Sequence, residues 1–344
     1  MSSASDLPSV AVVVATRGRP HLLAGLVESV LADPGAKELV VVVDGEEPGD
    51  PGKPTSMSVL ASLQGRWPRL TAIAVERSGH LAALEFGVRH ADADVVLLLD
   101  DDVLPVCHLS TGHARHHLQR GLVVVGSMPV LLPARRHIPP GTLLYAQDYE
   151  GHAQNLREGA FGVLDHLWMG NISLRRSDCL EIGLTSTVFT ATYHEDRDLG
   201  LRLARRGLVG ISDESLAAIH LHKDSPAAFL NSGRRHGAGL AHLHEVHLEQ
   251  LGPFRLGQVV DDLPSLLRSF VVLAGSSRTA PRVARAFLRV GITLGHLGWS
   301  GAEIKLARLA RRIMVCHGSV AGEAEPAPGR ERAALRPANL VAAR

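Results

Sequence analysis

The sequence predicts an α/β protein: a doubly wound, mostly parallel sheet flanked by helices, followed by a helical extension. Two observations carry that prediction. Apolar runs at residues 9–15, 38–43, 70–75 and 95–99 alternate with stretches of helical periodicity, the pattern of parallel strands covered on both faces. Polar residues also recur at the carboxyl ends of those runs: Thr16 and Arg17, then Asp44, then Arg77, then Asp100-Asp101-Asp102. Open α/β sheets place their ligand crevices at such strand ends.

The elements follow in order. The run at 9–15 ends in Thr16-Arg17-Gly18-Arg19-Pro20, and Pro20 suits the first turn of a helix over 21–31. The second strand stops at Asp44-Gly45 and opens a Gly/Pro/Asp-rich loop over 46–54. A helix at 57–63, a strand at 70–75 and a helix at 80–90 lead into the strand that carries the aspartates. A helix at 111–120 and a strand at 122–126 come next. Residues 129–162 are rich in Pro, Gly and His and read as a long irregular loop. Residues 168–176 read as a short strand with a small-residue turn, and 195–206 as an amphipathic helix ending at Gly207. Two short strands follow at 209–211 and 217–220. Beyond 253 the pattern becomes helical, over 256–274, 281–297 and 301–315, with apolar and arginine faces. These helices are expected to cap the sheet domain; the alternative is a basic amphipathic surface that touches anionic lipid. The expected organisation is a flexible N-terminus (1–8), a globular unit (9–252), a helical extension (253–317) and a disordered, Ala/Pro/Glu/Arg-rich tail (318–344).

Composition narrows the class. The 344 residues carry a net charge of +1 and 45% hydrophobic residues, enough for a sizeable core and without the field that a nucleic-acid partner asks for. Cys107, Cys179 and Cys316 are too few and too far apart for a metal or disulfide framework. With no leader pattern and no membrane-length apolar run, the expectation is a cytoplasmic protein, at most at the inner face of a membrane.

Three adjacent carboxylates at Asp100, Asp101 and Asp102 repel one another unless something positive lies among them. A hard divalent cation carrying a phosphate ligand is the obvious candidate, and a solvated acidic turn is the plain alternative. Glu195-Asp196 opens a helix, where carboxylates sit in a favourable dipole field; taken alone these are ordinary caps. His220 and His222 alternate along a strand and so share a face.

In this order the motifs resemble the inverting glycosyltransferases of family 2, with the GT-A fold. The landmarks are Val12 to Pro20, Val41-Val42-Val43-Asp44-Gly45, Leu97 to Asp102, Gly170-Asn171-Ile172-Ser173-Leu174-Arg175-Arg176, Glu195 to Leu203, and Ile219-His220-Leu221-His222 with Phe229 and Arg235-His236-Gly237. The resemblance covers about residues 9–243. It implies transfer from a nucleoside-diphosphate sugar, UDP-linked, to an acceptor hydroxyl, assisted by Mg²⁺ or Mn²⁺. Within it Asp102, in the place of the family's Asp-X-Asp motif, is the direct metal ligand, and His220 or His222 completes the metal shell or holds the diphosphate. Asp100 and Asp101 orient ribose, metal waters or donor sugar. Asp196 is the general base, and Glu195 contacts donor or acceptor hydroxyls. Thr16, Arg17 and Asp44 belong to the nucleotide pocket, Arg77 and Arg235 to the diphosphate, Asn171 to the donor sugar, and Trp168 to a stacked acceptor sugar or to the core. The acceptor itself is open: glycan, lipid carrier, natural product or protein.

The chain departs from the family at two places. Leu84-Glu85 stands where an Arg-Asn pair is common, and a single aspartate ends the second strand. Two rivals remain at this stage: a sugar-phosphate nucleotidyltransferase, and a non-catalytic family member that only binds carbohydrate or a partner.

Overall fold

Strand β1 (Val10–Thr16) is buried along its whole length, and its side chains divide by parity between two cores. Val10, Val12 and Val14 face helix α1 (Pro20–Leu31), while Ala11, Val13 and Ala15 face the layer that holds helix α3 (His80–His90). A strand with no polar face has to be sandwiched in this way. The computed structural model describes residues 7–45, 53–132, 138–222 and 225–321. Most of the expected flexible N-terminus, most of the 46–54 loop, five residues of the 129–162 stretch and most of the expected tail lie outside the described residues.

Strand β2 (Ala36–Asp44), helix α2 (Ser56–Gln64), strand β3 (Leu70–Val75), and strands β4 (Val95–Asp100) and β5 (Val103–Pro105) fill the first half. Thr55 caps α2 by accepting from the Ser58 amide at 3.2 Å. Helix α4 (Leu109–His116), strand β6 (Leu122–Ser127), helix α5 (Pro140–Arg157), strand β7 (Asn171–Arg175), helices α6 (Arg176–Ile182) and α7 (Glu195–Arg205), and strand β8 (Val209–His220) complete the sheet layer. The sheet order is β3-β2-β1-β4-β7-β6-β8-β5. β3, β2, β1 and β4 run parallel, but β7 is antiparallel to both β4 and β6, and β5 is antiparallel to β8. The sheet is therefore mostly parallel, with its direction broken at the strand beside the aspartates.

Helices α8 (Pro226–Val246), α9 (Leu248–Leu251), α10 (Gly257–Val260), α11 (Ser265–Gly275), α12 (Ala280–His296) and α13 (Ser300–Ala321) follow. They bury a third core around Ala284, Leu288, Ala310 and Ile313, shared with Phe229 of α8 and Leu144 of α5. α13 crosses α8 closely: a Cβ on Gly237 would come 1.9 Å from the Val315 carbonyl oxygen. Among the described residues no helix is long and apolar enough to cross a membrane.

Several expectations need correcting. Much of the stretch expected as loop is the 18-residue helix α5, whose polar face, two glycines and start at Pro140, directly after Pro139, hide its period. The two short strands expected at 209–211 and 217–220 are one 12-residue strand with a register shift opposite Gly126 and Ser127. The helix expected at 256–274 is broken by Pro264. The last helix runs on to Ala321, past the expected start of the disordered tail.

Candidate active site

The aspartates sit at the open end of the sheet because β4 ends at Asp100 and the chain turns at once into β5. β5 pairs with the end of β8 so that Val103 lies opposite His220. The backbone locks this junction: the Leu221 amide donates to the Asp102 carbonyl at 2.8 Å, and the His220 amide to Pro129 at 2.9 Å. As a result His220 Nε2 lies 3.2 Å from Asp102 Oδ1. Of the two histidines, His220 is the one against the aspartate, while His222 stacks on Tyr145 with ring centroids 3.9 Å apart.

The cation among the carboxylates is supplied by the chain itself. Arg19 Nη1 donates to Asp101 Oδ1 and to Asp102 Oδ2, each at 2.7 Å. Thr16 Oγ1 donates to Asp101 Oδ2 at 2.7 Å. Burial pushes the Asp102 carboxyl up, but the His220 hydrogen bond and the charges of His220, Arg19 and His222 outweigh it and hold Asp102 down at about 2. Asp101 is raised because burial exceeds the help from Arg19 and Thr16. Asp100 lies apart from this pair and meets His80 Nε2 at 3.5 Å. Burial alone would lower His80, but the hydrogen bond and charge of Asp100, with Glu195 and Asp101 behind it, raise it. The turn over Asp100 requires glycine: Gly170 has φ +117°, and a Cβ there would come 2.6 Å from Asp100 Oδ2 and 2.7 Å from Met128 Sδ.

Asp196 lies in the first turn of α7, one residue after Glu195. The residue before them, His194, holds a left-handed backbone at φ 68°, a strain of order 1 kcal/mol for a side chain of its size. Burial pushes the Asp196 carboxyl up to about 6, against the pull of the Arg197 and Met169 amides. Around it the rings of His194 and His236 meet edge-on at 4.6 Å, and each keeps one buried ring nitrogen without a partner. Burial drives both imidazoles down, His236 to about 3, so both are neutral near pH 7.

The remaining candidates separate. Asn171 does not border the cleft: it is fully buried, its Nδ2 donating to the Leu216 carbonyl at 2.8 Å and to the Ser127 carbonyl at 3.2 Å, with Oδ1 3.1 Å from His113 Nε2. Every polar atom of its side chain is engaged in tying β6, β7, β8 and α4 together, at the position for which the resemblance implied a place beside the donor sugar. The Asp44 carboxylate caps α3, accepting from the Ser78 amide at 2.6 Å and the Gly79 amide at 3.0 Å. Arg17 and Arg77 are exposed at their strand ends. Arg235 turns away from the aspartates and grips Thr192, bonding Oγ1 at 2.9 Å and the carbonyl at 2.5 Å, so it props the loop before Glu195. Trp168 is half-buried and meets Tyr145, Tyr149 and His152 edge-on at 5.2–5.5 Å. A cavity of about 220 Å³ opens beside it, lined by Met128, Tyr149, His152, Arg157 and Glu214 among others. Where the family's Arg-Asn pair is absent, Glu85 instead accepts from the Thr185 amide and hydroxyl at 2.9 and 2.8 Å.

Sequence reasoning missed Arg19, His80 and Tyr145. The first two had a signal, since each stands within a few residues of a strand's carboxyl end; Tyr145 sits on the helix that was read as loop. Among the described residues no three His, Cys, Asp or Glu side chains gather closely enough to form a ready-made metal cage. Asp102 and His220 are nonetheless a fitting partial set: an anionic oxygen and an imidazole suit Mg²⁺ or Mn²⁺, and such ions habitually complete their shells with water and substrate phosphate.

Comparison with known proteins bears on the family and the fold. The model of the family described as "Glycosyltransferase like family 2" matches residues 8–239. Among solved structures, the chain is similar to the mannosyltransferase PcManGT from Pyrobaculum calidifontis, determined in complex with GDP-Man and Mn²⁺. The two share 16% identity over 89% of this chain and 86% of that one, with a TM-score of 0.56. No curated protein matches the chain. With the family model spanning well over half of its length, the chain belongs to glycosyltransferase family 2.

Proposed function

We propose that the protein is a metal-dependent, inverting transferase that moves a sugar from a nucleoside-diphosphate sugar to an acceptor hydroxyl, with Asp196 as general base. The observation that carries this reading is the different setting of two carboxyls: Asp102 lies against His220 Nε2 at 3.2 Å and Arg19 Nη1 at 2.7 Å, which hold it down at about 2, and Asp196 sits in the first turn of α7, where burial pushes it up to about 6. The first stays ionised for a cation at any working pH, and the second is poised to accept a proton near neutrality. Environments that drive two titratable groups apart in this way are how one site divides its roles.

Asp102 and His220 would hold Mg²⁺ or Mn²⁺, and the bound ion supplies charge compensation for the departing diphosphate. The protein's own residues do the rest. Asp100, oriented by His80 and by the tight approach of Gly170, faces the donor. Thr16 and Arg19 fix Asp101. Asp44 builds the turn against which the nucleotide base lies, uridine on the family resemblance, with Arg17 and Arg77 at the mouth. The rings of His194 and His236, lowered far below neutrality by burial, are weak bases, and Asp196, raised toward neutrality, is the group that takes the acceptor's proton. The acceptor enters from the side of Trp168, whose neighbour Met169 donates its amide to Asp196. The GDP-Man in the Pyrobaculum calidifontis structure supports a guanosine-linked donor as the second reading beside a UDP-sugar.

The test separates the two carboxyls. Asp196→Asn should keep the thermal shift produced by nucleotide sugar plus Mn²⁺ and lose transfer by roughly a thousandfold. Asp102→Ala should lose the metal-dependent part of that shift. Loss of donor binding in Asp196→Asn, or unchanged turnover in Asp102→Ala, would overturn the assignment.

A further inference from the structure

The most exposed large apolar side chains among the described residues are Leu266 at 89%, Leu273 at 76%, Leu297 at 71% and Trp299 at 66%. All four belong to α11 or to the turn between α12 and α13. Leu266, Phe270 and Leu273 recur at spacings of four and three and so form one stripe along α11. Phe270 meets Phe287 of α12 edge-on at 5.8 Å, which joins that stripe to the next helix.

On α12 the exposed side carries Arg282, Arg285 and Arg289, again at three- and four-residue spacing, with Arg278 just before the helix. α12 contains no acidic residue. Among the described residues Arg278, Arg282 and Arg289 form no ion pair, and Arg285 turns Nε back to the Pro281 carbonyl of its own helix at 3.1 Å. Val290 and Leu297 flank this row, while Ala284, Leu288 and Gly291 occupy the opposite, buried side. In a chain whose net charge is only +1, the cationic character is local to this face.

We propose that the α11–α12 face docks peripherally on a phospholipid bilayer with anionic headgroups. The side chains of Leu266, Phe270, Leu273, Leu297 and Trp299 enter the boundary between headgroups and acyl chains, and Arg278, Arg282, Arg285 and Arg289 hold lipid phosphates. An amphipathic surface with arginine on one flank and Trp, Phe and Leu on the other has the composition such binding needs. The charge also argues against a second copy of the chain: pairing through this same face would bring four more arginines and no acidic residue, since 265–300 contains none. No spanning helix is required, and none is present among the described residues.

The test is co-sedimentation of the full-length protein with vesicles of phosphatidylcholine alone and of phosphatidylcholine mixed equally with phosphatidylglycerol. The wild-type protein should sediment with the anionic vesicles only, and less as salt is raised. Arg282→Gln/Arg285→Gln/Arg289→Gln should weaken that binding on the order of a hundredfold, and Leu266→Ser/Leu273→Ser by at least about tenfold. Leu118→Ser, which removes an exposed leucine elsewhere, should change nothing. Thermal melts of each variant matching the wild type exclude unfolding as the cause. Equal binding to neutral vesicles, no binding to either, or wild-type binding by the arginine variant would overturn the proposal. So would a dimer in light scattering that Leu266→Ser/Leu273→Ser dissolves, since the face would then belong to self-association.

Discussion

Arg19 Nη1 stands 2.7 Å from both Asp101 Oδ1 and Asp102 Oδ2, so one guanidinium nitrogen bridges two adjacent carboxylates of the cleft. Arg19 thus answers the charge of Asp101 and Asp102, while Asp100 meets His80 Nε2 at 3.5 Å. Arg19 is half-exposed, and under the proposed metal role of Asp102 a divalent cation would compete with it for the same oxygen.

Removing that competitor has two opposite effects. Arg19→Gln should lower the melting temperature of metal-free protein, because Asp101 and Asp102 then face each other uncompensated. It should also tighten Mn²⁺ binding by about tenfold or more, since the ion no longer displaces a like charge. Calorimetric titration with Mn²⁺ reads the second effect. Weaker Mn²⁺ binding by the variant would show that Arg19 holds the carboxylates in place for the ion instead of competing with it.

Asp196 links activity and stability to pH with opposite signs. In the proposed role of base it must be ionised, so kcat/KM should rise with pH through an apparent pKa near 6. For stability, its folded-state value of about 6 lies above the ordinary 3.8, so between these values the folded state binds more protons and stability falls as pH rises. Above about pH 6 the ionised carboxylate is a net cost, of order 2 kcal/mol for a half-buried group. Asp196→Asn should therefore melt higher than wild type near pH 7.5 and equally near pH 4. A flat pH–rate profile, or a variant that melts lower at pH 7.5, contradicts this.

Asn171 is a joint of the fold. Asn171→Ala strands the Leu216 and Ser127 carbonyls and one ring nitrogen of His113 in the interior, at a cost of about 2–4 kcal/mol. Chemical denaturation should show that loss, while the folded fraction keeps the wild-type KM for donor. A raised KM without lost stability would return Asn171 to the donor site.

The C-terminal helices reach the loop before the proposed base, Asp196, through Arg311 of α13, which pairs with Asp148 of α5 and hydrogen-bonds Tyr193, two residues before Glu195. Arg311→Met frees the loop that aims Asp196. The expected result in steady-state kinetics is kcat lowered by roughly tenfold with donor KM unchanged. An unaltered kcat would reduce Arg311 to a surface ion pair.

What the sequence made legible follows from burial. Val10 to Ala15, Leu39 to Val43 and Val95 to Leu99 are so uniformly apolar that they can only be covered strands, and the charged residues that end them mark the cleft. Helix α5 was illegible because it packs only a few side chains, Leu144 and Tyr149 among them, and its polar remainder breaks the period. Roles that depend on long-range pairing were equally hidden. Nothing local tells that Asn171 lies against His113 or that Arg235 reaches Thr192, and a strand-end aspartate such as Asp44 looks the same whether it meets a ligand or caps the next helix. His80 and Arg19 were legible in position but not in partner.

The most direct measurement is ³¹P NMR of the wild-type protein incubated with Mg²⁺, a panel of nucleoside-diphosphate sugars and water or a sugar acceptor. The expected result is resonances of free nucleoside diphosphate from at least one donor, absent in Asp102→Ala and strongly reduced in Asp196→Asn. No nucleoside diphosphate from any donor, or nucleoside diphosphate formed equally by all three proteins, would contradict the assignment of sugar transfer to this cleft.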